Sequence, residues 1–122
     1  MKSTQTYWNP LGMEHIGRWE VIEGSGGKLS QLTLAEDAAT GDYTRLTKFA
    51  DGYGTEAFGP KSHPYPEEIF VLCGRLYDAA FDMWLESGHY ASRPPGEVHG
   101  PFKAEGEVIV LEVSFPSQSV EA

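Results

Sequence analysis

Glycine and proline punctuate this chain too often for helices of ordinary length. Fourteen glycines and eight prolines are spread along 122 residues rather than gathered into one tract. Between them lie short runs rich in β-branched and aromatic residues, and no run sustains the helical period of apolar positions. The pattern predicts strands over 18–22, 28–34, 43–49, 67–73, 75–77, 81–84, 88–93 and 108–115. Gly24-Ser25-Gly26-Gly27 is a turn by composition. Residues 1–17 mix Trp8, Pro10, Gly12 and Gly17 and read as an irregular N-terminal arm. Many short strands with frequent turns imply an all-β chain closed as a barrel or jelly roll, an architecture that leaves no long sheet edge exposed.

Two turn-plus-strand stretches carry the chemistry. The first is Lys61-Ser62-His63-Pro64-Tyr65-Pro66-Glu67-Glu68-Ile69-Phe70-Val71-Leu72-Cys73-Gly74, and the second is Gly88-His89-Tyr90-Ala91-Ser92-Arg93-Pro94-Pro95-Gly96-Glu97-Val98-His99. Together they offer His63, Glu67 and His99. Two imidazoles and a carboxylate form the ligand set of an open transition-metal site, with positions left for water or substrate. Side chains alternate along a strand, so Glu67, Ile69, Val71 and Cys73 are expected on one face. Pro64 and Pro66 suit the start of a strand, where a missing N–H costs little, and stiffen the turn between His63 and Glu67. Glu97, two residues before His99, is expected to face the same way, either orienting a ligand or sitting near the cavity mouth.

These stretches resemble the paired motifs of the cupin superfamily. His63, Glu67 and Gly74 fall on the first motif, and Gly88, Pro94, Gly96 and His99 on the second. The sequence departs from the pattern at three places. Thr55 stands at the leading glycine, with Gly54 next to it, Lys61 replaces the first histidine, and Lys103 replaces the final asparagine. The motifs span roughly residues 54–103. The resemblance implies a cupin double-stranded β-helix, an RmlC-like jelly-roll barrel, over residues 1–122 as a single domain. It also implies a divalent transition metal (Fe²⁺, Zn²⁺, Ni²⁺ or Mn²⁺) and a homodimer. Within the superfamily, the runs 42–49, 67–72 and 94–101 look like the group of acetylacetone-dioxygenase-like proteins and the cupin domains of zinc-binding anti-sigma factors.

Two functions from different classes follow, with a third behind them. One is a metal-dependent dioxygenase acting on a small dicarbonyl or phenolic compound, with iron held by His63, Glu67 and His99. Another is a non-catalytic metal- or ligand-binding module of sensor or regulatory type, with structural zinc and a fourth ligand. The third is a metal-independent isomerase with His63 or His99 as general base. Lys61 reads either as a solvent-facing turn residue or as a group reaching a metal or a substrate anion. Tyr65 is a possible pocket residue, and with Tyr90, Phe102 and Trp84 it reads otherwise as core or interface. His89 is expected at the surface, His15 in the arm, and Cys73 as a small buried apolar residue.

The formal charge of −9 argues against nucleic acid or an anionic membrane as partner, because both favour a basic surface. A small-molecule ligand is expected instead. No apolar run approaches the roughly 20 residues that span a bilayer. The opening Met1-Lys2-Ser3-Thr4-Gln5 lacks the apolar core of a signal peptide, and one cysteine forms no internal disulfide. The expectation is a cytoplasmic protein. Phe70 and Leu72 are expected on an outer apolar face that a second subunit would cover.

Overall fold

The structure, a computed structural model, describes residues 1–4 and 6–120. Residue 5 of the arm and residues 121–122 of the single-domain reading lie outside the described residues. Among the described residues eight strands follow in chain order: β1 (Ser3–Thr4), β2 (Glu20–Val21), β3 (Leu29–Glu36), β4 (Tyr43–Phe49), β5 (Glu67–Asp78), β6 (Met83–Leu85), β7 (Tyr90–Arg93) and β8 (Phe102–Ser114). Three short 3₁₀ segments accompany them, Met13–Arg18, Glu56–Phe58 and Pro116–Gln118. Pairing is antiparallel throughout, in the order β1-β3-β4-β8-β5-β6, with β2 also on β3 and β7 also on β5. The chain is all-β, as its punctuation implies.

The largest difference from the sequence reading lies at Gly74. Read as the end of a strand, it instead bends one long strand, and the expected strands 67–73 and 75–77 are both parts of β5. Its φ is +76°, a left-handed conformation that glycine adopts freely. The register against β8 shifts on either side of Cys73. This bulge reverses the alternation: Glu67, Ile69 and Val71 are buried before it, and Leu76 and Asp78 after it. Cys73, expected on the buried face, sits in the bulge and is half-buried, its Sγ 3.8 Å from the Glu107 carbonyl oxygen. β8 starts at Phe102, six residues before the expected 108. Its first part is charged, yet it pairs with the second half of β5, burying Ala104 and joining Arg75 to Glu105. The arm is not irregular throughout, since it contains β1 and the Met13–Arg18 segment. That segment also shortens the expected strand 18–22 to β2.

Leu29, Phe49, Ile69, Val71, Leu76, Leu85, Ala104, Val108 and Val110 form the core. Each large aliphatic member contributes about 1.5–3 kcal/mol by leaving water. Phe70 and Leu72 point outward and are 39% and 40% exposed. Side chains from β3, β4, β5, β7 and β8 line one shared cavity, so the sheet curls around it. Among the described residues no helix is long and apolar enough to cross a membrane.

Candidate functional site

Backbone hydrogen bonds join the two motif stretches. Lys61 and His99 exchange a pair, N to O at 2.8 and 2.9 Å, and Gly96 N–H donates to the His63 carbonyl at 2.8 Å. The proline turn before β5 is held from the other side, Phe115 N–H donating to Pro66 O at 3.1 Å and Val120 N–H to Pro64 O at 2.7 Å. His63 and His99 therefore face one another, ring centroids 4.9 Å apart. His63 Nε2 is 3.6 Å from Glu67 Oε2. Tyr65 stacks on His63 at 4.5 Å and 4°. His99 in turn lies 5.9 Å from Phe102.

Burial governs the charge states here. Burial, then the neighbouring Arg93 charge and His63, push His99 down to about 4. Burial and Arg93 lower His63 as well. Both imidazoles are therefore neutral at pH 7. Glu67 is 2% exposed, and burial together with the charge of Glu112 raises its carboxyl while Arg93 opposes the rise. Its two oxygens are both engaged: Arg93 Nη1 donates to Oε1 at 3.0 Å and Ser114 Oγ to Oε2 at 3.1 Å. Arg93 is itself only 6% exposed.

A second pair faces the same cavity from β4 and β8. Arg45 on β4 donates through Nε to Glu112 Oε1 on β8 at 2.7 Å, and Thr47 Oγ1 donates to the same oxygen. Gln31 Nε2 on β3 donates to Thr47 Oγ1 at 3.3 Å. The Tyr43 ring lies 4.6 Å from the Arg45 guanidinium. Burial raises the Tyr43 phenol, whose hydroxyl is within reach of Ser114 and Tyr65. The cavity has a volume of about 490 Å³, and Ile22, Leu29, Phe49, Phe58 and Phe102 supply its apolar wall. Thr55, at the leading-glycine position, is buried and accepts the Phe102 N–H through Oγ1 at 2.8 Å.

The structure thus brings His63, Glu67, His99, Tyr65 and Lys61 to one cavity. Lys61 is exposed, its Nζ 5.9 Å from the Phe58 ring. Glu97 instead lines a separate cavity of about 130 Å³ with His89 and Asp78, because residues 97 and 98 follow the Pro95-Gly96 turn as irregular chain and not as a strand. His15 packs on Trp8 in the arm, 4.9 Å between rings. Sequence reasoning missed Arg93, Arg45, Glu112 and Gln31. Arg93 was visible in the second motif stretch, six residues before His99, but no spacing rule marked it.

As a metal centre, the three predicted donors are adjacent but not gathered. Among the described residues no three His, Cys, Asp or Glu side chains form a ready metal cage. Their chemistry nevertheless suits a divalent transition metal. Both imidazoles are neutral, the form that ligates. Among the described residues His99 Nδ1 is buried without a hydrogen-bond partner, a costly state that coordination at that nitrogen would relieve. Glu67 keeps one oxygen toward His63 while Arg93 fixes the other, as outer groups commonly orient a ligand. The same arginine offsets the Glu67 charge, so the set attracts a cation less than an unpaired carboxylate would.

An all-β sheet curled around a cavity, with His and Glu supplied by two stitched turn-plus-strand motifs, defines a cupin. A family profile described as the ChrR Cupin-like domain matches residues 9–114, and the chain belongs to that family. Among solved structures, it is similar to an RmlC-like cupin from Shewanella frigidimarina NCIMB 400, with a TM-score of 0.67 and 17% identity over 94% of this chain and 93% of that one. It is also similar to an acetylacetone dioxygenase from Acinetobacter johnsonii, with a TM-score of 0.69 and 16% identity over 94% of this chain and 76% of that one. A third likeness is to the Rhodobacter sphaeroides structure of SigE in complex with the anti-sigma ChrR. There the TM-score is 0.60 and the identity 21%, over 80% of this chain and 49% of that one. At these identities the likeness is one of fold. No curated protein sequence matches the chain.

Proposed function

We propose that this cupin acts on a small organic compound at a divalent transition metal held by His63, Glu67 and His99, with dioxygenase-type chemistry on a dicarbonyl or phenolic substrate. The observation that carries the reading is the pair of neutral, facing imidazoles beside Glu67 in a cavity of about 490 Å³. A metal bound there supplies Lewis acidity toward an enolate or phenolate oxygen and, if it is iron, reactivity with O₂. The chain's own residues do the rest. Arg93 and Ser114 fix the Glu67 carboxylate, and Tyr65 holds the plane of the His63 ring. Phe49, Phe58 and Phe102 give the substrate an apolar wall and limit access of water. The fold shared with an acetylacetone dioxygenase agrees with this chemistry without deciding it.

Elemental analysis of the wild type, His99→Ala and His89→Ala tests the centre. The expected result is about one transition metal per chain, lost with His99 and kept with His89. Equal loss in the two variants, or no metal in the wild type, overturns the centre. Oxygen uptake by the iron-loaded protein with β-dicarbonyl and catechol-type compounds then tests the reaction, and no uptake rejects it. The Glu67–Arg93 pair favours one second reading, in which the neutral His63 imidazole is a general base and activity survives chelation.

A further inference from the structure

The cavity contains a charged group that the proposed centre leaves unused. Arg45 on β4 lies directly across the sheet from Glu112 on β8, and Thr47 lies across from Gln31 on β3. Arg45 spends only Nε on Glu112. Among the described residues its two terminal amino groups have no protein acceptor, and neither is sealed from water. The Tyr43 ring beside the guanidinium and the Glu112 oxygen at its Nε edge hold its orientation. The edge left open is the one that grips a carboxylate through two parallel hydrogen bonds.

The charge of the cavity wall points the same way. Among the described residues, Arg45, Lys61 and Arg93 line it against two carboxylates, Glu67 and Glu112. The wall is thus one positive charge in excess, in a chain whose formal charge is −9. Arg93 is already committed to Glu67, and Lys61 is an exposed residue. Arg45 is therefore the oriented, open cation of the interior. It is also near enough to His63 to act on it electrostatically, as is Glu112. A ligand anchored at Arg45 would have its remainder beside the two imidazoles and against the phenylalanine wall.

We infer that Arg45, backed by Glu112 and Tyr43, anchors the carboxylate of a small organic acid bound as its monoanion, with the rest of the molecule directed at His63 and His99. This deepens the reading of the cavity as a small-molecule site, but anchoring at Arg45 does not require the metal.

The test is calorimetric titration and thermal shift with benzoate and acetoacetate against their uncharged counterparts, benzamide and acetoacetamide. The proteins are the wild type, Arg45→Gln, Lys61→Gln and the double variant Arg45→Gln/Glu112→Gln, which leaves no unpaired buried charge if the single variant folds poorly. Each is measured metal-loaded and after chelation, with its metal content determined. The expected result is that a carboxylate binds about tenfold tighter than its amide in the wild type and in Lys61→Gln, and that both Arg45 variants lose this preference while keeping the wild-type metal content. Failure of both carboxylates to bind at millimolar concentration overturns the inference. So does equal binding of acid and amide, or a preference that survives in both Arg45 variants. A chelated wild type that still prefers the carboxylate upholds Arg45 as anchor even if no native metal is found. A metal-loaded protein without the preference rejects the anchor and leaves the metal centre standing.

Discussion

Glu67 is a carboxylate at 2% exposure whose charge is matched by Arg93 at 6%, and the same arginine bears on both imidazoles. Removing one partner of a buried ion pair leaves the other uncompensated, which typically costs about 3–5 kcal/mol. Arg93→Gln is therefore expected to lower stability by roughly that amount in urea unfolding. Adding Glu67→Gln to it should recover part of the loss, and equal stability of the wild type and Arg93→Gln would contradict the pairing. His99 makes a separate prediction about pH. Its folded value of about 4 lies below the ordinary 6.5, so as pH falls the unfolded chain takes up the proton first. His99 therefore costs stability progressively from about pH 6.5 down to about pH 4, at no more than ~1.4 kcal/mol per pH unit. Glu67, held above its ordinary value, works in the opposite direction, gaining stability as pH falls toward that ordinary value. The comparison to make is thus the pH slope of unfolding free energy in the wild type against His99→Gln. The variant should lose less stability between pH 7 and pH 5, and identical slopes would refute a neutral buried His99. Of these residues, His63, Glu67 and His99 were legible from spacing along single strands and turns. Arg93 was not, because nothing local in the sequence says which carboxylate an arginine will meet.

At the scale of the element, β5 shows what a pattern reveals and what it misses. The alternation of Glu67, Ile69 and Val71 with the exposed Phe70 and Leu72 is readable directly from the sequence. The strand's passage through Gly74 is not, because a glycine after a β run marks a stop or a bend equally well. What separates the two is the neighbour. A Cβ built on Gly74 would overlap the Glu107 carbonyl oxygen on β8 and sit 2.8 Å from Val108 Cγ2. Gly106 has a similar φ of +75° but nothing within 4 Å of such a Cβ. Gly106→Ala should therefore cost only the left-handed conformation, about 1–2 kcal/mol. Gly74→Ala should cost clearly more, roughly 3 kcal/mol or above, because β8 must also move. Thermal unfolding of the two variants measures the difference, and equal melting temperatures would remove the close approach as the reason for this glycine.

For the whole molecule, the outward Phe70 and Leu72 motivate the expectation of a dimer, as does the exposed Tyr90 on the neighbouring β7. Sedimentation should give a mass twice that of the chain, reduced to one chain by Phe70→Glu with Leu72→Glu. A concentration-independent monomer in the wild type would dismiss the pairing. Strand order carried a similar lesson. Short strands and turns followed from the chemistry of glycine, proline and β-branched residues, each acting over a few neighbours, and so did the grouping of metal-type donors in two compact stretches. Those features are legible along the chain because their causes are local: φ preference, side-chain alternation and spacing within one turn. The placing of β8 between β4 and β5 is a property of the folded sheet, and it sets Glu112 beside Arg45 and Ser114 beside Glu67. Arg45 and Glu112 are separated by 67 residues and Glu67 and Ser114 by 47. Pairs so distant acquire their hydrogen bonds and their shifted proton affinities from the sheet register and from exclusion of water, and neither exists until the sheet has curled around its cavity.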